Sequence, residues 1–187
     1  MATRYIAFLR AVNVGGRSMK MADLRVCLED LGLRDVGTVI QSGNAYFDAG
    51  RGSRAALVAR IEVAIGSRFG FEVPTILRTC DEVEATLAAA GAKYVDGQPL
   101  VDKERLVMFL DRAVPQIDLP ISTPRGDVVV SRLIDVGTHG SDVIVEVRRI
   151  DGRMTNYATF VEKQLAARGT GRWLHTTARI LNVARDT

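Results

Sequence analysis

The sequence predicts an α+β protein built from two ferredoxin-like (alpha-beta plait) subdomains with mainly antiparallel sheets. Three observations carry this expectation. The chain has 187 residues, 47% hydrophobic and 25% charged, which is ordinary for a globular protein and sufficient for a core without staples. Through residue 78 the elements run β-α-β-β-α-β, the split-βαβ order. The later elements run roughly α-β-β-β-α, as a diverged second copy would, although the halves share no visible residue identity. The expected division is 1–79 for the first subdomain and 80–187 for the second, packed on the first.

Each element of the first half has a local cause. In residues 4–12 (RYIAFLRAV), Tyr5, Ala7 and Leu9 alternate with Ile6, Phe8 and Arg10, the period of a strand. A loop, Asn13-Val14-Gly15-Gly16-Arg17-Ser18, follows. Residues 20–31 set Met21, Leu24, Cys27, Leu28 and Leu31 on one helical face, and Gly32 stops the helix. Val36 to Gln41 and Ala45 to Asp48 read as strands. Ser42-Gly43-Asn44 between them is a hairpin loop, because Gly and Asn accept positive φ. Residues 54–66 form a helix burying Leu57, Val58, Ile61 and Ile65, and Glu72 to Arg78 is a strand that Pro74 assigns to an edge.

The second half is looser. Asp81 to Ala90 reads as a short helix and 106–110 (LVMFL) as a strong strand. Pro115, Pro120 and Pro124 punctuate a loop. Val128 to Ile134 and Val143 to Ile150 are strands joined through Gly137-Thr138-His139-Gly140. Residues 154–167 are a helix with Tyr157, Phe160, Val161, Gln164 and Leu165 on one face. Gly169-Thr170-Gly171 reads as a break before a tail that carries Trp173.

Composition excludes some classes of function. No apolar run approaches the roughly 20 residues of a membrane helix, and MATRYIAFLR at the start lacks a signal peptide's apolar stretch. Two cysteines, Cys27 and Cys80, make no disulfide framework, which fits a reducing, cytoplasmic setting. Cys27 falls on an apolar helix stripe; Cys80 stands at a helix start, where a thiol's pKa can drop. The net charge of +3 is a weak field, and 21 of the 25 basic residues are arginine, the bias of a GC-rich genome. The densest groups are Arg10/Arg17/Lys20, Arg148/Arg149/Arg153 and Arg168/Arg172/Arg179, which only folding could bring together.

The usual catalytic and metal signatures are missing: GxxxxGK[ST], HExxH, GxSxG and zinc-spaced Cys/His pairs. No metal is therefore assigned, and any cofactor is left open. The best local candidate is the loop from Asn13 to Lys20, which follows a strand, holds two glycines and opens a helix. Such a loop can aim backbone N–H groups at an anion. The plait places it at the same end of the sheet as the hairpin loop. Asn13, Gly15, Gly16, Arg17 and Lys20 are therefore expected near Gln41, Ser42, Gly43 and Asn44. The competing reading is that the asparagines satisfy turn backbone and Gln41 caps a strand end.

These motifs carry a resemblance. The stretch YIAFLRAVNVGGRSMKMADLRVCLEDLGLRDVGTVIQSGNAYF resembles the start of the bacterial domain-of-unknown-function 1697 family. That family's pattern runs R-G-I-N-V-G-G, then a K-M-x-x-L-R helix, a glycine turn and a strand ending in Q-S-G-N. The match passes through Arg10, Asn13, Gly15, Gly16, Lys20, Met21, Leu24, Arg25, Gln41, Ser42, Gly43 and Asn44, with Ala11 where glycine is usual. A closing T-T-R-N-W-like segment is replaced by Thr176-Thr177-Ala178-Arg179-Ile180-Leu181-Asn182. The resemblance implies two ferredoxin-like subdomains and a bacterial protein, with no assigned activity.

The expectation that follows is a small-anion or nucleotide-type ligand-binding domain using the two loops. One alternative is an enzyme of unknown reaction in the same pocket, with Lys20, Asp23 or His175 in acid–base roles. Another is a protein-interaction or nucleic-acid module. Nucleic acid is the less favoured partner, since the RNP pattern is absent and only 6% of residues are aromatic.

Overall fold

The computed structural model describes residues 2–12, 15–91 and 104–186. The fold is α+β. The chain divides into two compact units, Met1–Asp81 with Ile180–Thr187, and Glu82–Arg179.

The first unit contains β1 (Thr3–Leu9), α1 (Met21–Asp30), β2 (Arg34–Thr38), β3 (Asn44–Ala49), α2 (Arg54–Phe69) and β4 (Thr75–Thr79). Its sheet order is β2-β3-β1-β4, with every pair antiparallel. β4 is an edge strand, and Pro74 sits just before it, where a missing N–H does no harm. One core joins the sheet to α1 and α2: Ala7, Leu9, Phe47 and Leu77 from strands meet Leu24, Leu28, Ile61 and Ile65 from helices. The helix spacing expected from the sequence is the spacing that is buried, Met21, Leu24, Cys27 and Leu28 on α1.

The ends of these elements differ from the sequence reading for backbone reasons. β1 stops at Leu9 because Ala11 adopts φ 55°, and β2 stops at Thr38 because Ile40 adopts φ 53°. α2 runs three residues further than expected, to Phe69. Ser53 caps its start by accepting from the Ala56 N–H at 3.4 Å, and Gly70, left-handed, closes its end. The last residues of the chain cluster with this unit. Arg4 on β1 donates to Asp48 at 2.6 Å and to the Ala184 carbonyl at 2.9 Å, and Arg185 reaches Asp81 at 3.4 Å. The hydrogen bond from Arg4 holds the Asp48 carboxyl below its ordinary range.

The chain continues with α3 (Cys80–Ala90), which crosses the division. The second unit then holds β5 (Glu104–Leu110), β6 (Ile121–Ser122), β7 (Val128–Asp135), β8 (Ser141–Val147), α4 (Tyr157–Leu165), β9 (Gly169–Trp173) and the start of α5 (Leu174–Arg185). Its antiparallel sheet has the order β6-β7-β8-β5-β9. Without β6, the order β7-β8-β5-β9 repeats the spatial pattern of the first sheet. The proline-rich stretch and β6 stand where the first unit has α1. β5 lies inside the sheet, and Leu106, Val107, Met108, Phe109 and Leu110 are all buried, as a continuous apolar run requires.

Two expectations for this half are corrected. Gly169-Thr170-Gly171 is not a break but part of β9. A Cβ at Gly169 would sit 2.7 Å from the Phe109 carbonyl oxygen, and one at Gly171 would sit 2.7 Å from the Tyr157 ring. These glycines permit close packing rather than a turn. The tail beyond Trp173 is helical. It is α5, with Leu174, Ala178, Ile180, Leu181 and Ala184 buried and Thr177 Oγ1 donating to the Trp173 carbonyl at 3.1 Å. The helix expected over 154–167 is shorter, Tyr157–Leu165. Asn156 caps it by accepting from the Thr159 N–H at 3.2 Å.

Candidate functional site

Antiparallel pairing sets the ends of the first unit's strands together. Phe8 faces Asn44, and Leu9 faces Thr75, so β1 ends where β3 and β4 begin. The Leu9 N–H donates to the Gly43 carbonyl at 2.8 Å, and the Arg10 N–H donates to the Pro74 carbonyl at 3.0 Å. Three connections therefore share one end of the sheet: β1–α1, β2–β3 and α2–β4. The sequence pointed to the first two and missed the third.

The β2–β3 loop is held by its own residues. The Val39 N–H donates to the Asn44 carbonyl at 2.9 Å, and Asn44 Nδ2 donates to the Val39 carbonyl at 3.2 Å and to Ser42 Oγ at 2.9 Å. Asn44 is fully buried. Gly43 is left-handed at φ 73°, and a Cβ there would lie 2.8 Å from Val12 Cγ2. Gly43 and Asn44 thus shape the loop, while Gln41 and Ser42 are exposed on it.

The β1–α1 connection is pinned at both sides by buried side chains, Val12 and Met19, neither of which the sequence reading singled out. Between them Gly15 and Gly16 are exposed and left-handed, at φ 63° and 81°. Asn13 lies outside the described residues. Arg17 packs its guanidinium 5.2 Å from the centre of the Phe71 ring, and Nη1 donates to the Glu72 carbonyl at 3.5 Å. Lys20 is exposed and occupies the N-cap of α1 with no side-chain capping bond.

Ala11 has a φ of 55°, a conformation that glycine adopts without strain. Ala11→Gly is expected to raise stability by about 0.5–1 kcal/mol. A higher urea midpoint with an unchanged slope would register this gain.

Of the acid–base candidates, Lys20 and Asp23 belong to the first unit and His175 to the second. Cys27 and Cys80 are buried, and burial pushes both thiols up, the wrong direction for a reactive thiolate. Among the described residues no three His, Cys, Asp or Glu side chains are grouped to hold a metal, and no helix is long and apolar enough to cross a membrane.

Fold and loops together define the class: an α+β protein of two antiparallel sheets with a polar, cation-bearing set of loops at one end of the first. Residues 2–120 match the family described as protein of unknown function DUF1697, and the chain belongs to that family. A solved structure, that of the conserved bacterial protein SP0830 from Streptococcus pneumoniae, has a similar fold. Its TM-score is 0.68 at 21% identity, and the match covers 99% of each chain. No curated protein matches the chain.

Proposed function

We propose that the chain is a cytoplasmic protein that binds a small anion or a nucleotide-type ligand at the loop end of its first unit. Both units are read as ferredoxin-like subdomains, a reading supported by the strand order they share. The ligand would be held by N–H groups of the Gly15-Gly16 loop, by the charges of Arg17 and Lys20, and by Gln41 and Ser42. Gly43 and Asn44 would set the loop's shape, with Asn13 contributing from the first loop.

The observation that carries this reading is the start of α1. Lys20 is extended, with φ −74° and ψ 133°, and supplies no side-chain cap. The Met21 and Ala22 N–H groups have no acceptor among the described residues. Uncapped N–H groups and the positive end of the helix dipole favour an anion. The Lys20 ammonium, with no partner among the described residues, adds a full charge.

A thermal-shift screen of nucleotides, sugar phosphates and short carboxylates tests the proposal. A ligand at about 100 times its dissociation constant adds about 2.7 kcal/mol of stability. Lys20→Ala is expected to weaken binding about tenfold or more, the loss of one charge-assisted hydrogen bond. A hit with equal affinity for wild type and Lys20→Ala would place the ligand elsewhere.

A further inference from the structure

We propose that the second unit carries a separate polyanion-binding face, an arginine platform that grips nucleic-acid phosphates without reading sequence. The platform is made by two tight turns. The first, Thr123 to Asp127, joins β6 to β7, with Arg125 beside the left-handed Gly126. The second follows β8. There Ile150 and Arg153 exchange backbone hydrogen bonds of 2.8 and 3.0 Å across Asp151 and Gly152, at φ 51° and 72°. Positive φ at both central residues is the signature of a type I′ turn.

Asp127 fastens the two turns together. Its backbone carbonyl accepts from the Arg148 N–H at 2.7 Å. Its carboxylate accepts from Thr123 Oγ1 at 2.6 Å, from the Thr155 N–H at 2.9 Å and from Thr155 Oγ1 at 2.7 Å. The carboxylate is spent on these hydroxyl and amide donors and pairs with none of the arginines. Arg125, Arg148, Arg149 and Arg153 are all exposed, and none has a side-chain partner among the described residues. The sequence showed three of these as neighbours; the fold adds Arg125 from another turn.

Four guanidiniums with no side-chain partner among the described residues, on a stapled backbone, suit phosphate. The planar guanidinium fork donates two parallel bonds to phosphate oxygens, and a fixed backbone reduces the ordering needed on binding. A membrane surface or a protein partner would be expected to use an apolar anchor as well. The large exposed hydrophobic residues among those described are Val26, Ile40 and Val63, all in the first unit. Binding is therefore expected to run through the phosphate backbone alone and to be indifferent to sequence.

The test is fluorescence anisotropy with labelled 20-base-pair duplexes of two unrelated sequences, between 50 and 200 mM salt. Four phosphate contacts predict a slope of log K against log salt of about −3.5, the same for both sequences. Arg125→Ala/Arg153→Ala is expected to reduce the slope by about 2 and to weaken binding at least tenfold at 100 mM salt. The charge-matched Arg25→Ala/Arg60→Ala, in the first unit, is expected to leave both within twofold of wild type. Equal affinity of the platform variant and wild type would overturn the proposal. So would equal weakening in the control variant, or equally tight binding to polyglutamate or anionic vesicles. A Lys20→Ala protein is expected to bind duplex normally, which separates this face from the loop end of the first unit.

Discussion

Asp127→Ala is expected to destabilise the second unit by about 3 kcal/mol. The residue is 1% exposed, and its carboxylate accepts three hydrogen bonds from Thr123 and Thr155. Hydrogen bonds to a charged group contribute about 1.5–3 kcal/mol, and removing the acceptor also leaves buried donors unpaired. Trp173, the only tryptophan, belongs to this unit and packs near Tyr157 at 6.5 Å between ring centres. Its fluorescence during urea unfolding therefore reports on the unit affected. The same group makes stability depend on acid. Its hydrogen bonds, first from Thr123 and then from Thr155, lower the folded pKa from 3.8 to about 2. The unfolded chain thus takes up a proton near pH 4 that the folded chain refuses until about pH 2. The contribution is complete above pH 4 and fades as pH falls through 2. Asp127→Ala is expected to lose this acid-dependent step in the Trp173 transition, and a variant retaining the full step would assign it to another carboxylate.

Gly43→Ala is expected to cost about 2–3 kcal/mol, and to do so by displacing the loop at the candidate site. The left-handed backbone accounts for roughly 1 kcal/mol. The rest comes from the new methyl group, 2.8 Å from Val12 Cγ2 and 3.1 Å from Leu9 Cβ, in a packed region with no slack. Gly15→Ala is the internal comparison. Its φ is also positive, but nothing lies within 4 Å of the new Cβ, so only the backbone term of about 1 kcal/mol remains. Equal losses in the two variants, measured by urea titration, would contradict the packing role given to Gly43.

The first unit was largely legible because its signals are local. Period-two and helical spacings gave the right element order, and Leu24, Leu28, Ile61 and Ile65 fell where the core is. Its errors sit at Ala11 and Ile40, whose residue types give no hint of positive φ. The second half failed where the cause is distant in sequence. Gly169 and Gly171 looked like punctuation, yet what demands glycine is the backbone of Phe109 and the ring of Tyr157. β6 has two residues, too few for any period.

The candidate site divides the same way. Its glycines and cations stood out in the sequence, and the topology that gathers two of its loops followed from element order. The roles inside the loops did not. Asn44 reads as fit for a ligand or a turn, and its amide donates to Val39 and Ser42 within the turn. The packing of Arg17 on Phe71 joins residues that no motif connects.

The central claim is that the uncapped start of α1 and the Gly15-Gly16 loop receive an anion. The most direct measurement is an amide NMR titration with inorganic pyrophosphate. The account predicts saturating shifts at Gly15, Gly16, Met21 and Ala22, with smaller ones at Gln41 and Ser42, all strongly reduced in Lys20→Ala. Shifts that are absent there, or that persist unchanged in Lys20→Ala, would contradict it.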